Sequence, residues 1–157
     1  MTARPKTKAS QKPGKRSAAR LAAVQALYQR AMTGRPPVDP LVKEFVEHRL
    51  GQTVDDDQYA PADADYFADI VKGVDGFDEE LDPAIAANLA EGWSLPRLDR
   101  LLLAILRAGA YELKARPDVP TAVIINEYVD VAHAFYDGGE PAFVNKVLDN
   151  LAAQFRA

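Results

Sequence analysis

An all-α fold, a compact bundle of six or seven helices, is the class this sequence predicts, on three observations. Apolar residues recur at three- and four-residue spacing in segment after segment. No stretch alternates apolar and polar with β-branched enrichment, the signature of a strand. Pro and Gly pairs such as "TGRPP", "RPDVP" and "GGEP" punctuate the helical segments.

In chain order, residues 1–14 are rich in Lys and Pro without an apolar pattern and read as a disordered basic tail. The rest, 15–157, reads as a single all-helical domain. Ser17 is a fitting N-cap for a first helix carrying Leu21, Val24, Tyr28 and Met32 inward until Gly34. A second helix runs from about Asp39 to Leu50 with Leu41, Val42, Phe45 and Val46 inward. The acidic stretch 51–62 reads as a solvated turn, because it lacks the alternating acids and central Gly of a calcium loop. A third helix spans about Asp63 to Val74 and is interrupted at Asp75-Gly76, after which "FDEELDPAIAANLA" resumes helical spacing with Pro83 near a start or kink. Trp93 falls in the following link. Pro96 suits the first turn of a helix to Lys114, apolar over most of its circumference and so central to the bundle. Pro120 opens a helix over 121–137, and "GGEP" forms a hinge before the last helix from Ala142.

At 157 residues the chain has the length of one domain, able to bury roughly 70% of its unfolded surface. It has no cysteine, which excludes disulfides and thiolate metal sites. With His48 and His133 as the two imidazoles, no zinc cluster is expected. The apolar runs fall far short of the ~20 residues that span a bilayer, so a soluble, cytoplasmic protein without membrane contact is expected. The basic start also fits an organellar transit peptide, but "AVQALYQ" carries the spacing of a folded helix.

Charge is unevenly distributed. Residues 1–38 hold nine Lys/Arg and no acid, whereas 39–157 hold ten Lys/Arg against 23 acids, within a total of −4. A basic end on an acidic body points to a polyanionic partner, because local charge sets the attraction. No nucleophile elbow, phosphate loop or dinucleotide fingerprint occurs. The paired carboxylates Glu79-Glu80 and Asp55–Asp57 lie in polar runs, and His133 shares a polar face with Asn126, Asp130 and Asp137. No catalytic residue, metal or cofactor is assigned, and the chain is read as non-enzymatic.

At ~100° per residue, Arg16, Arg20 and Arg30 fall within about 80° of arc on the first helix. Ala19, Ala23 and Ala26 adjoin them, and Leu21, Val24, Tyr28 and Met32 lie to the other side. Guanidinium groups on one flank suit phosphate oxygens, and small neighbours let a backbone approach. Phe143 lies at the edge of the core stripe of the last helix, beside the Gly138-Gly139 hinge. On spacing, it and Phe135 fit either the core or a stack on an unpaired base.

The segments "SAARLAAVQALYQ", "ILRAGAYEL", "DVP" with "INEYVDVA", and "FVNKVLDNLA" resemble the NusB family of transcription antitermination factors in order and spacing, over about residues 15–155. The resemblance implies an all-helical fold in two halves. It also implies binding of single-stranded boxA RNA in ribosomal transcripts, jointly with the ribosomal protein NusE, alongside other Nus factors and RNA polymerase. The RNA surface it implies comprises Lys15, Arg16 and Arg20, with Phe135 and Phe143 flanking the "YDGGEPA" loop. Here Ser17, Ala18 and Ala19 interrupt the family's denser arginine run. Leu102 and Leu103 stand where relatives commonly carry charge, a difference that would favour a homodimer. Two alternatives remain: the NusB-like N-terminal domain of a ribosomal RNA cytosine methyltransferase, and a helical protein-interaction module.

Overall fold

A computed structural model describes residues 14–50 and 62–156. The tail read as disordered lies outside the described residues except for Gly14, and so does the acidic stretch except for Ala62. Six α-helices and one 3-10 turn occur among the described residues, and no strand. The helices are α1 (Lys15–Met32), α2 (Val38–His48), α3 (Ala64–Ala86), α4 (Arg100–Ala115), α5 (Thr121–Phe135) and α6 (Glu140–Phe155). The two halves, α1–α3 and α4–α6, meet through α4, which packs on α1, α3, α5 and α6. That central place follows from its sequence: every residue from Leu102 to Leu113 except Arg107 is buried. No helix among the described residues is long and apolar enough to cross a membrane.

Five boundaries differ from the sequence reading, each for a local reason. Helix α1 begins at Lys15 with Gly14 as N-cap, and the Ser17 hydroxyl instead donates to Glu127 Oε1 at 2.6 Å. Helix α3 runs unbroken through Asp75-Gly76 and carries Pro83 in its last turn. Phe67, Ile70, Val71, Val74, Leu81 and Ile85 form one buried stripe across the supposed break. Each buried apolar side chain contributes about 1.5–3 kcal/mol, which outweighs the ~1 kcal/mol that a helical glycine costs.

Pro96 sits in the 3-10 turn Leu95–Arg97, and extended Leu98 delays α4 to Arg100. Tyr136 is extended and ends α5 at Phe135. Its hydroxyl bonds Asp99 at the start of α4. The last helix then starts at Glu140, with Pro141 in its first turn. Arg156 closes the bundle by donating to the Leu113 carbonyl at 2.8 Å and the Arg116 carbonyl at 2.7 Å. These contacts satisfy the carbonyls left open at the end of α4.

Candidate nucleic-acid interface

The first helix is rotated relative to the sequence reading. Its buried residues are Ala19, Arg20, Ala23, Val24, Ala26 and Leu27, while Tyr28 and Met32 are exposed. At ~100° per residue Arg20 and the alanines share this inward arc, while Arg16, one turn earlier at the helix start, is exposed. The small side chains that would admit a nucleic-acid backbone instead admit α3 and α4.

Arg20 is therefore not a surface cation: it is 3% exposed. Its Nε and Nη2 grip the two Glu112 oxygens at 2.7 and 3.0 Å. Nη1 donates to Glu127 Oε1 at 3.1 Å, and Nη2 also donates to the Tyr66 hydroxyl at 2.9 Å. Glu112 is fully buried and accepts two further hydroxyls, from Tyr128 at 2.5 Å and from Tyr66. Burial alone would lower the Arg20 pKa, but the bonds and charge of Glu112 outweigh it and raise it. A charge so deep persists because it is paired and every guanidinium nitrogen donates a hydrogen bond. Arg30 is likewise engaged, with Nη1 on Asp75 Oδ1 at 3.0 Å and Nε on the Pro36 carbonyl.

Burial, with the hydrogen bond and charge of Glu112, pushes the Tyr66 hydroxyl up from 10 to about 12. Tyr128 moves in the same direction, for burial first. Between those values the folded chain holds the proton that the unfolded chain has released. Stability is therefore complete below about pH 10 and declines as pH rises through about 12. Melting midpoints measured in parallel with tyrosinate absorbance should fall across that window; a flat midpoint would show that these hydroxyls titrate as if unburied.

Lys15 and Arg16 remain outside. Both are exposed, and neither has a carboxylate within 4 Å among the described residues. The Arg16 guanidinium lies 4.5 Å from the Tyr66 ring centroid, and Arg116 lies 4.6 Å from it. Stacking holds Arg16 in place while leaving its N–H groups free for an anion. The N-terminus of α1 adds the positive end of a helix dipole beside them.

The two aromatic residues do flank the loop, but each lines a different groove. Phe135, 40% exposed, shares one with Gln25, Tyr28, Gln29, Met32 and Arg49. Tyr28 and Arg49 were missed as surface groups because Tyr28 has core spacing and Arg49 follows the end of α2. Phe143 is half-buried against the core and lines an apolar groove with Trp93, Leu98, Leu102 and Glu140. One Glu140 oxygen is buried without a hydrogen-bond partner among the described residues. Leu102 and Leu103 are both buried, so they do not form the sticky outer face that would favour a homodimer.

The NusB family model matches residues 17–153 of this chain. The chain belongs to the NusB family. Transcription antitermination protein NusB of Novosphingobium aromaticivorans is 56% identical over 141 residues, 90% of this chain and 95% of that one. The protein of that name from Sphingopyxis alaskensis is 55% identical, covering 90% and 94%. Among solved structures, T. maritima NusB matches with a TM-score of 0.74 at 26% identity, over 94% of this chain and 96% of that one. A chain in the crystal structure of a plectonemic RNA supercoil matches with a TM-score of 0.74 at 27% identity, over 90% and 96%. The NusB relatives are named for antitermination, a non-enzymatic role, which agrees with the sequence reading. They carry no methyltransferase name.

Proposed function

We propose that this chain binds the single-stranded boxA element of ribosomal RNA transcripts, together with NusE, in the cytoplasm. In that role it joins other Nus factors on elongating RNA polymerase and keeps transcription processive. Membership of the NusB family supports the reading, and so does the likeness to a chain from the crystal structure of a plectonemic RNA supercoil. The observation that carries it is the exposed pair Lys15–Arg16, without a carboxylate within 4 Å among the described residues, placed where a segment with further Lys/Arg at positions 4, 6, 8 and 12 enters α1.

Two surfaces divide the work. Lys15 and Arg16 take phosphates, and Phe135 with Tyr28 offers faces for unpaired bases, a contact worth ~1–3 kcal/mol per base. Arg20 serves by fixing the start of α1 rather than by touching RNA. The Phe143 groove suits a protein better, because the Glu140 carboxylate would repel phosphate and its apolar walls would take an apolar side chain. NusE is assigned to that groove.

The test is a titration of boxA RNA over a range of salt. The Lys15→Ala, Arg16→Ala double variant should bind roughly tenfold more weakly near 0.15 M salt, with the salt slope reduced by about 0.7 per lost phosphate contact. An unchanged affinity and slope would remove this end of the molecule from the interface.

A further inference from the structure

Arg49 follows the last turn of α2, and its guanidinium lies 4.2 Å from the centroid of the Phe45 ring. That ring is 1% exposed and is stacked on Phe67 with centroids 5.5 Å apart. A cation resting on a buried aromatic pair is held in place rather than swinging freely. Its charge meets no carboxylate within 4 Å among the described residues, unlike Arg20, Arg30, Arg35, Arg107 and Arg116.

The groove it lines, about 530 Å³, contains no acid among its described lining residues. Three other grooves on this surface each carry at least one: Asp75 and Asp78 in the first, Asp82 in the second and Glu140 in the third. On a chain with a net charge of −4, a groove combining one guanidinium, the amides of Gln25 and Gln29, and two half-open aromatic rings is electrostatically distinct. Its chemistry matches single-stranded nucleic acid point by point. Tyr28 and Phe135 offer stacking faces, the amides offer uncharged donors and acceptors to base edges, and a cation stands at the rim for the backbone. An acidic peptide would satisfy Arg49 but would leave the amides and both rings without matched partners.

We propose that Arg49 is a phosphate-binding residue for the RNA strand whose bases lie in the Tyr28–Phe135 groove. The strand thus has a second backbone anchor, separate from Lys15 and Arg16. This rests on the RNA-binding reading above. It adds a residue on α2's edge to an interface otherwise built from α1 and the end of α5.

The experiment uses the full chain and a fluorescent single-stranded boxA oligonucleotide, with anisotropy read at several salt concentrations. Arg49→Ala should bind roughly fourfold more weakly near 0.15 M salt, with the salt slope smaller by about 0.7. Arg49→Lys, which restores a cation over Phe45, should recover the slope. Lys43→Ala, an exposed cation on the same helix outside the groove, should change neither. If Arg16→Ala weakens binding while Arg49→Ala keeps wild-type affinity and slope, this inference falls and the RNA reading stands. If the unsubstituted chain does not bind the oligonucleotide, both fall.

Discussion

Glu112→Ala is expected to destabilise the protein by about 3–5 kcal/mol, because it leaves the Arg20 guanidinium buried without its counter-charge. The side chain removed is fully buried and accepts bonds from Arg20, Tyr66 and Tyr128. A domain of this size has only about 5–15 kcal/mol of stability to lose. Urea unfolding should show the midpoint displaced with its slope unchanged. Glu112→Gln keeps the volume and some of the bonds but not the charge, so it should fall between the two. A loss below about 1 kcal/mol, the scale of an exposed pair, would mean that Arg20 is solvated. That result would return Arg20 to the phosphate-facing role its sequence position first implied.

The second large effect concerns α3. A Cβ added at Gly73 would lie 2.1 Å from Cζ of Tyr111, with ring and hydroxyl atoms at 2.2 and 2.6 Å. The ring cannot swing away cheaply, since its hydroxyl donates to Asp69 at 2.6 Å and it lies 5.8 Å from the Phe77 ring. Gly73→Ala should therefore destabilise by about 1–3 kcal/mol through overpacking, despite a helix-propensity gain of ~1 kcal/mol. Gly76→Ala is the contrast. Its added Cβ meets nothing within 4 Å, so only the propensity gain remains and the melting midpoint should rise. Opposite signs at two glycines three residues apart would confirm the α3–α4 packing; equal signs would contradict it.

Much of this architecture was legible in the sequence because its signals are periodic and local. The crowded apolar circumference of α4 announced the central helix, and Pro120 and Gly138-Gly139 marked the flanks of α5. The candidate site was less legible, for a physical reason. On α1 the large apolar side chains suggested one inward face, but small alanines and a paired arginine pack more closely against α3 and α4. Arg20 looked like surface charge because its partner lies 92 residues away. The signal that could have exposed the error was Glu112, an acid set within the most apolar helix. Such a residue is almost never buried unless paired. Asp75-Gly76 misled in the opposite way, as a local breaker overruled by long-range packing. Phe135 and Phe143 flank one loop in the sequence, but the two grooves they line, one beside Leu101 and the other beside Leu102 of α4, depend on long-range packing.

Where RNA lies on this surface is read directly by a two-dimensional NMR titration with boxA RNA. Amide shifts should concentrate at Lys15–Leu21, around Tyr28, at Arg49 and near Phe135, with the Trp93–Phe143 groove quiet until NusE is added. Shifts confined to the Trp93–Phe143 groove, with the start of α1 unmoved, would contradict this placement of the RNA.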